Sequence, residues 1–213
     1  MQEMCERKAD ISIIVPVYDL EDYLAPLLDS LKRQDKEYTA EYIFVLNNCT
    51  DKSEEVIKQS GLPCTILTCE KQGCGHARNV GFEHATGEFV WFMDGDDWLI
   101  KDTAIGDVVH GMRTNNLNIM RVPFTSERFR MSYYSMVWQY VMRRDFIQEF
   151  RFTGRQPGED DEYMVKVLHK AGYSPATYLK MPYFAEPLYF YNYLRIGSNM
   201  FRVAMGENIN GDE

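Results

Sequence analysis

Apolar and polar positions alternate along the chain in blocks that predict strands and helices in turn. The run Ile11–Val17 is rich in β-branched residues, as a buried strand is, and leucines at helical spacing follow it. Further predicted elements of the first half are a strand at Tyr42–Leu46, a helix near Lys52–Ser60 capped by Thr50 or Asp51, a strand at Cys64–Cys69, a helix at Ala77–Ala85 and a strand at Phe89–Met93. This alternation predicts an α/β fold with a mostly parallel central sheet flanked by helices.

The second half of the chain is less regular. Its predicted helices are Asp102–Met112, Asp145–Phe150 and Asp160–Ala171, and its predicted strands are Asn118–Phe124, Met136–Met142 and Pro187–Tyr193. The composition changes near residue 98, which indicates two abutting lobes that share one sheet. We expect a single domain over residues 10–200, divided into halves 10–97 and 98–200, with a frayed tail at 201–213.

Composition and charge exclude several classes of protein. The 213 residues are 45% hydrophobic and 26% charged, which is ordinary for a globular protein and excludes wholesale disorder. The net charge of −9 repels nucleic-acid phosphates, so we expect no nucleic-acid partner. No apolar run approaches the roughly 20 residues of a membrane span. The first ten residues lack the apolar region of a signal peptide, and a cytoplasmic location is expected.

The five cysteines favour reduced thiols. Cys64, Cys69, Cys74 and His76 lie close together in sequence, which raises the alternative of a zinc site. Their four-residue gaps differ from the two-residue spacing of zinc knuckles. We therefore expect buried thiols and keep zinc as the minor alternative.

Polar stretches follow three predicted strands, at the ends where a parallel sheet binds its ligands. These stretches are Tyr18–Asp19, Asn47–Asp51 and Asp94–Asp97. The last one holds three carboxylates within four residues, and a hard divalent cation with oxygen ligands would relieve their repulsion. A solvated turn with capping aspartates is the alternative interpretation.

Four segments, in this order, resemble motifs of the family 2 glycosyltransferases, which have the nucleotide-sugar-binding fold called GT-A. Ile11–Tyr18 resembles the opening strand, and Gly73–Leu99 resembles the stretch that ends in Asp-x-Asp-Asp. Gly158–Tyr163 is similar to the later Glu-Asp motif, and Leu188–Tyr191 with Arg195 to the closing strand and loop. The resemblance covers roughly residues 10–200. It implies an inverting, metal-dependent transfer of a sugar from a nucleotide sugar to a hydroxyl of a glycan or lipid-linked glycan.

The resemblance also implies roles on the donor side. Asp94, followed by Gly95, would face the ribose, and Asp96 would bind Mn²⁺ or Mg²⁺, with Asp97 as a second ligand or as an orienting group. The other residues expected to bind the nucleotide sugar are Pro16, Val17, Tyr18, Asn47, Asp51 and Arg78. Tyr18 would stack on the base and Arg78 would add charge near the phosphates. Core packing for Tyr18 and a surface ion pair for Arg78 are the alternatives.

One segment departs from the family pattern. Leu46–Cys49 holds leucine and asparagines where the family commonly has acidic residues that contact the base. An asparagine amide can both accept from and donate to a base. The identity of the base therefore stays open, with uracil preferred.

On the acceptor side, the resemblance makes Asp160 the general base that takes the proton of the attacking hydroxyl, supported by Glu159 and Asp161. An acidic helix start is the alternative for this cluster. Trp98, Tyr191 and Arg195 are weaker candidates, together with Tyr189, because sugar faces pack on aromatic rings. Core packing explains the aromatic residues equally well.

Two other functions stay open at this stage. A non-catalytic relative that binds a nucleotide, a sugar or a partner would keep the fold. A nucleotidyltransferase is less favoured, because the loop after the first strand is acidic and has no glycine. The resemblance suggests a role in surface polysaccharide biosynthesis. A lipid-linked acceptor would bring the protein to the inner face of the plasma membrane, alone, as a homodimer or through a partner.

Overall fold

The structure is a computed structural model, and it describes residues 9–126, 134–154, 158–184 and 186–192. The strands are β1 Ile11–Val17, β2 Ala40–Asn47, β3 Thr65–Cys69, β4 Phe89–Phe92, β5 Trp98–Leu99, β6 Ile119–Arg121, β7 Phe124–Thr125, β8 Tyr140–Arg143 and β9 Tyr189–Phe190. The α-helices are α1 Leu24–Lys32, α2 Ser53–Gln59, α3 Cys74–His84, α4 Ala104–Thr114 and α5 Glu159–Lys170.

Six strands form the central sheet in the order β3-β2-β1-β4-β8-β6. The first four are mutually parallel, and β8 runs antiparallel to both of its neighbours. The predicted mostly parallel sheet is thus confirmed. Because β6 points the same way as β4, the carboxyl ends of five strands meet along one side of the sheet, which we call the carboxyl edge. A second, small sheet has the order β5-β9-β7.

Both faces of the central sheet are covered, which explains why its strands are continuous apolar runs. Along β1, side chains point alternately to the two faces, so that Ile13 and Val15 pack with α1 and α4 while Ile14 packs with α3 and α5. Gly81 lets α3 lie directly on the sheet, because a Cβ there would come within 2.4 Å of the Cγ2 atom of Ile14.

The structure corrects several predicted elements. The helix predicted at Asp145–Phe150 is wrong: the segment forms turns, and the Phe146 carbonyl accepts a hydrogen bond from Lys170 Nζ. The predicted strand Asn118–Phe124 is split into β6 and β7 beside Pro123, which has no N–H for a ladder.

Local differences occur at other element ends. Residues Val137–Gln139 form a 3₁₀ turn before β8, where the prediction had a continuous strand. Helix α2 is capped by Lys52 instead of Thr50 or Asp51, although the Asp51 carboxylate accepts the N–H of Ser53. No helix in the described ranges is long and apolar enough to span a bilayer.

Candidate functional site

The loops that follow β1 and β2 at the carboxyl edge are bound to each other. Asp19, in a left-handed conformation with φ 46°, accepts the backbone N–H of Thr50 at 2.7 Å. In return, the Asp51 carboxylate accepts the N–H of Glu21 at 2.8 Å. Burial opposes this ionised state, but hydrogen bonds from Ser53 and Glu21 keep the pKa of Asp51 below its usual value. Asp51 therefore holds the two loops together.

The side chain of Asn47 organises the neighbouring loop. Its Nδ2 donates to the carbonyls of Cys69 and Lys71, and its Oδ1 accepts the N–H of Gly73 at 2.7 Å. Both amide hydrogens are thus used inside the protein. Of the two expected modes of base contact, this geometry excludes donation by the amide, whereas acceptance at the remaining lone pair of Oδ1 stays a prediction.

Tyr18 lies exposed at the carboxyl edge. Its side chain is 54% exposed, so the alternative of core packing does not apply to it. Val17 beside it is buried in β1, and its carbonyl accepts a hydrogen bond from the Cys49 thiol, while Pro16 is half-buried. The arrangement leaves a ring free to stack on a planar group.

The Asp94–Asp97 loop is anchored through its last carboxylate. Asp97 is 0% exposed, and its two oxygens accept the Tyr189 hydroxyl at 2.6 Å and the Asn192 N–H at 2.7 Å. The Tyr189 hydroxyl also accepts the N–H of Asp94. Burial, together with the charges of Asp96 and Asp94, raises the pKa of Asp97 well above its usual range. Asp97 fits the orienting role and does not fit the role of second metal ligand.

The other residues of the Asp94–Asp97 loop differ from Asp97 in their surroundings. Gly95 packs against the segment between β1 and α1, because a Cβ there would lie 2.5 Å from the Cδ1 atom of Leu20. Asp94 and Asp96 are partly exposed at the carboxyl edge. Neighbouring carboxylates supply the oxygen ligands that a hard divalent cation prefers, and Asp96 remains the predicted metal ligand.

Arg78 is a buried cation between the two acidic motifs. Its side chain is 4% exposed, so the alternative of a surface ion pair is wrong. Nη2 donates to Asp94 at 2.9 Å, and Nη1 donates to Asp160 at 2.7 Å and lies 3.5 Å from Glu159. The predicted donor-side and acceptor-side carboxylates, 66 residues apart in sequence (160 − 94), therefore meet at one guanidinium.

Asp160 is partly accessible, with 25% of its side chain exposed. Burial raises the pKa of its carboxyl to about 7; Arg78 opposes the shift, and the charges of Glu159 and Asp94 add to it. Glu159 is buried and accepts the Cys74 thiol, whereas Asp161 is exposed. The structure places Asp160, and not Asp161, in the cluster around Arg78.

The aromatic candidates on the acceptor side belong largely to a packed cluster. Trp98 stacks on Phe190 with ring centroids 4.0 Å apart, and Tyr191 stacks on Trp138 at 4.7 Å. Tyr189, a weak candidate for the acceptor side with core packing as its alternative, is fully buried and bonded to Asp97. Arg195 lies outside the described residues. Nothing in the sequence pattern distinguishes Tyr189 from its aromatic neighbours.

The alternative zinc set is not assembled. Within the described ranges, one group of acidic, cysteine or histidine side chains has its ligand atoms within 4.8 Å of one another, namely Asp19, Cys49 and Asp51. The zinc candidate Cys74 lies elsewhere, at the start of α3, and burial raises the pKa of its thiol to about 12.

A mostly parallel sheet with acidic loops at its carboxyl edge is the GT-A architecture, and comparison with known proteins agrees. The chain belongs to the family described as Glycosyl transferase family 2, whose model matches residues 12–175. Over 97 residues it is 37% identical to the poly(ribitol-phosphate) beta-N-acetylglucosaminyltransferase TarS of Staphylococcus aureus, covering 43% of this chain and 17% of that protein. Over 95 residues it is 39% identical to the glycosyltransferase GlyA of Streptococcus pneumoniae, covering 43% of this chain and 14% of that protein.

Solved structures share the fold. Residues 1–349 of S. aureus TarS in complex with UDP-GlcNAc superpose with a TM-score of 0.77 at 21% identity, over 90% of this chain and 60% of that one. The mannosyltransferase PcManGT from Pyrobaculum calidifontis, in complex with GDP-Man and Mn²⁺, gives 0.69 at 16% identity, over 92% and 61%. The predicted family and GT-A fold are confirmed, and the chain corresponds to only part of these longer relatives.

Proposed function

We propose that the protein is an inverting, metal-dependent glycosyltransferase that moves a sugar from a nucleotide sugar to an acceptor hydroxyl. The observation that carries this proposal is the bridge made by Arg78 between Asp94 and Asp160. A transferase must hold the donor and deprotonate the acceptor within one small volume, and this bridge joins the two acidic motifs that would do so.

On the donor side, Tyr18 would stack on the base, Asp94 would face the ribose and Asp96 would hold Mn²⁺ or Mg²⁺. A divalent cation bound there would stabilise the charge that develops on the diphosphate leaving group. Solved neighbours hold UDP-GlcNAc or GDP-Man with Mn²⁺, so both nucleotides are reasonable probes for this chain. UDP is preferred, because the TarS fold is the more similar of the two.

On the acceptor side, Asp160 would be the general base. A carboxyl with a pKa of about 7 is ionised in a large fraction of molecules near neutral pH and is still basic enough to accept a proton. Direct attack by the activated hydroxyl is a single displacement, which inverts the anomeric centre. Glu159 would support the cluster by accepting the Cys74 thiol and by facing Arg78.

The names of two relatives, TarS and the minor teichoic acid biosynthesis protein GgaB of Bacillus subtilis, support a role in surface polysaccharide biosynthesis. The acceptor would then be a glycan or a lipid-linked glycan, reached in the cytoplasm or at the inner face of the membrane. Association with that membrane and formation of a homodimer are further parts of this proposal.

Calorimetric titration with UDP and with GDP, each with and without Mn²⁺, tests the donor site. Wild-type protein should bind UDP more tightly with Mn²⁺ than without it, and Asp96→Asn should lose this difference. Asp102→Asn is the matched control, since Asp102 pairs with Arg33 on the surface.

Three results would contradict parts of the proposal. Preference for GDP would change the donor class, and tight binding without metal would remove the role of Asp96. Absence of binding to either nucleotide would favour a non-catalytic relative, an alternative for which the engaged amide of Asn47 is the one structural argument.

A further inference from the structure

Arg121, the last residue of β6, has no carboxylate or carbonyl partner for its side chain among the described residues. In the part of the chain that the structure describes, every other arginine donates a side-chain hydrogen bond to a carboxylate or a carbonyl: Arg33, Arg78, Arg113, Arg143, Arg144 and Arg151. Arg121 makes no such bond to the described residues, and its Nε is buried without an acceptor. In a protein with a net charge of −9, an arginine with no carboxylate partner among the described residues is unexpected.

The surroundings of Arg121 are aromatic and contain a second unused donor. Its guanidinium lies 5.8 Å from the centroid of the Tyr178 ring and 5.1 Å from that of Tyr183. Tyr140 pairs with Arg121 across β6 and β8, and its buried hydroxyl also has no hydrogen-bond partner among the described residues. Tyr183 is 59% exposed and forms the outer side of the cluster, whereas the Arg121 Nε and the Tyr140 hydroxyl are buried beneath it. Two donors on one face that have no acceptor among the described residues are an unmet hydrogen-bonding requirement, which an oxygen of a ligand would satisfy.

This cluster lies near the proposed base. The Tyr178 ring packs on the Tyr134 ring at 6.3 Å, and Tyr134 is hydrogen-bonded to Asp161. Asp160 itself receives a hydrogen bond from the backbone of Val137, in the 3₁₀ turn that leads into Tyr140. Arg121 ends its strand at the carboxyl edge. The unsatisfied donors are therefore on the acceptor side of the site.

We propose that Arg121 and the Tyr140 hydroxyl form a subsite for an oxyanion of the acceptor, a phosphodiester or a carboxylate carried by the glycan. This inference rests on the proposed glycosyl transfer. The planar fork of arginine matches two oxygens of a phosphate or carboxylate, and the rings of Tyr178 and Tyr183 hold the guanidinium in place. The bound anion would fix the position of the acceptor chain relative to Asp160. An ordered water on Nε is the competing explanation.

The test observes Arg121 directly by NMR of ¹⁵N-labelled protein. The probes are glycerophosphoglycerol as a phosphodiester, methyl glucuronide as a carboxylate and methyl glucoside as a neutral sugar, at constant ionic strength. We expect at least one charged probe to shift the Arg121 Nε–H resonance saturably, while the neutral sugar does not. Whichever charged probe binds more tightly identifies the source of the oxyanion.

Two variants make the result specific. Arg121→Lys keeps the charge and loses the fork, so the affinity read from the backbone amide of residue 121 should fall at least tenfold. Arg33→Lys, at a surface ion pair remote from the site, should keep the wild-type affinity. Absence of a saturable shift, an equal shift with methyl glucoside, or equal affinity in Arg121→Lys would overturn the subsite.

Nucleotide titration in the same samples separates this inference from the proposed function. Mn²⁺-dependent UDP binding without an anion-induced shift would overturn the subsite and leave glycosyl transfer standing. An anion-induced shift without nucleotide binding would overturn glycosyl transfer, and with it the acceptor role of Arg121. Arg121→Lys should bind UDP as the wild type does, because Arg121 lies in β6 and not in the loops that follow β1, β2 and β4.

Discussion

Replacing Arg78 by methionine removes the buried cation from between Asp94 and Asp160 and should change the pH at which the base works. The pKa of Asp160 is about 7 while Arg78 donates to it at 2.7 Å. An adjacent arginine lowers a carboxyl pKa by about 1–3 units, so the variant should have a pKa of roughly 8–10. A base works when deprotonated. The ionised fraction at pH 7 should therefore fall about 5- to 500-fold.

The assay is the pH profile of UDP release from a UDP-sugar. In Arg78→Met the acidic limb should move upward by about one to three pH units, and alkaline pH should restore much of the activity. Breaking this buried pair should also lower the free energy of unfolding by roughly 3–5 kcal/mol, so the profile is measured well below the melting temperature. Arg113→Met is the matched control, since Arg113 bridges Asp10 and Glu88 away from the site. A lower rate at every pH, with an unchanged midpoint, would refute the reasoning.

Three further predictions concern stability. Tyr189→Phe leaves one oxygen of the buried Asp97 without its donor. The free energy of unfolding, measured with denaturant, should therefore fall by about 1–3 kcal/mol. An unchanged denaturation midpoint would contradict the anchoring role of Tyr189. Gly81→Ala should destabilise by about 1–3 kcal/mol, because its Cβ would overlap Ile14, and wild-type stability would show that α3 can move away. Because the pKa of Asp160 is raised in the folded protein, its stabilising contribution is complete below the unfolded value of 3.8 and is lost as the pH rises through about 7. In Asp160→Asn, the free energy of unfolding should lack this fall between pH 3.8 and about 7. A pH dependence of unfolding identical to that of the wild type would contradict the shifted pKa.

The central strands were predictable because their sequence carries the signal of burial on both sides. β1 was predicted with its observed bounds, and β4 differs by one residue. Strand order then brings the Asp94–Asp97 loop to the edge shared with the loops after β1 and β2. A continuous apolar run rich in β-branched or aromatic residues was sufficient to predict these two strands.

The corrected features depend on contacts between distant parts of the chain. Asp97 is bonded to Tyr189, and Arg78 to Asp160, 82 residues later, so no local pattern reports either pair. Asn47 looks like a ligand-binding amide in sequence, but the loop after β3 uses both of its hydrogens. The segment Asp145–Phe150 was predicted as a helix, yet it forms turns, and its Phe146 carbonyl accepts a hydrogen bond from Lys170 of α5. In each case a tertiary partner, absent from the local sequence, decides the outcome.

The most direct test of the central claim compares two adjacent carboxylates as the base. UDP release from UDP-GlcNAc is measured for the wild type, Asp160→Asn and Asp161→Asn, with Mn²⁺-dependent UDP binding recorded for each. Asp160→Asn should bind UDP normally and lose about 100-fold or more of the turnover, since general-base catalysis contributes at least that much. Asp161→Asn should keep most of it, because Asp161 is exposed and outside the Arg78 cluster. Full turnover in Asp160→Asn, or its loss only in Asp161→Asn, would contradict the account.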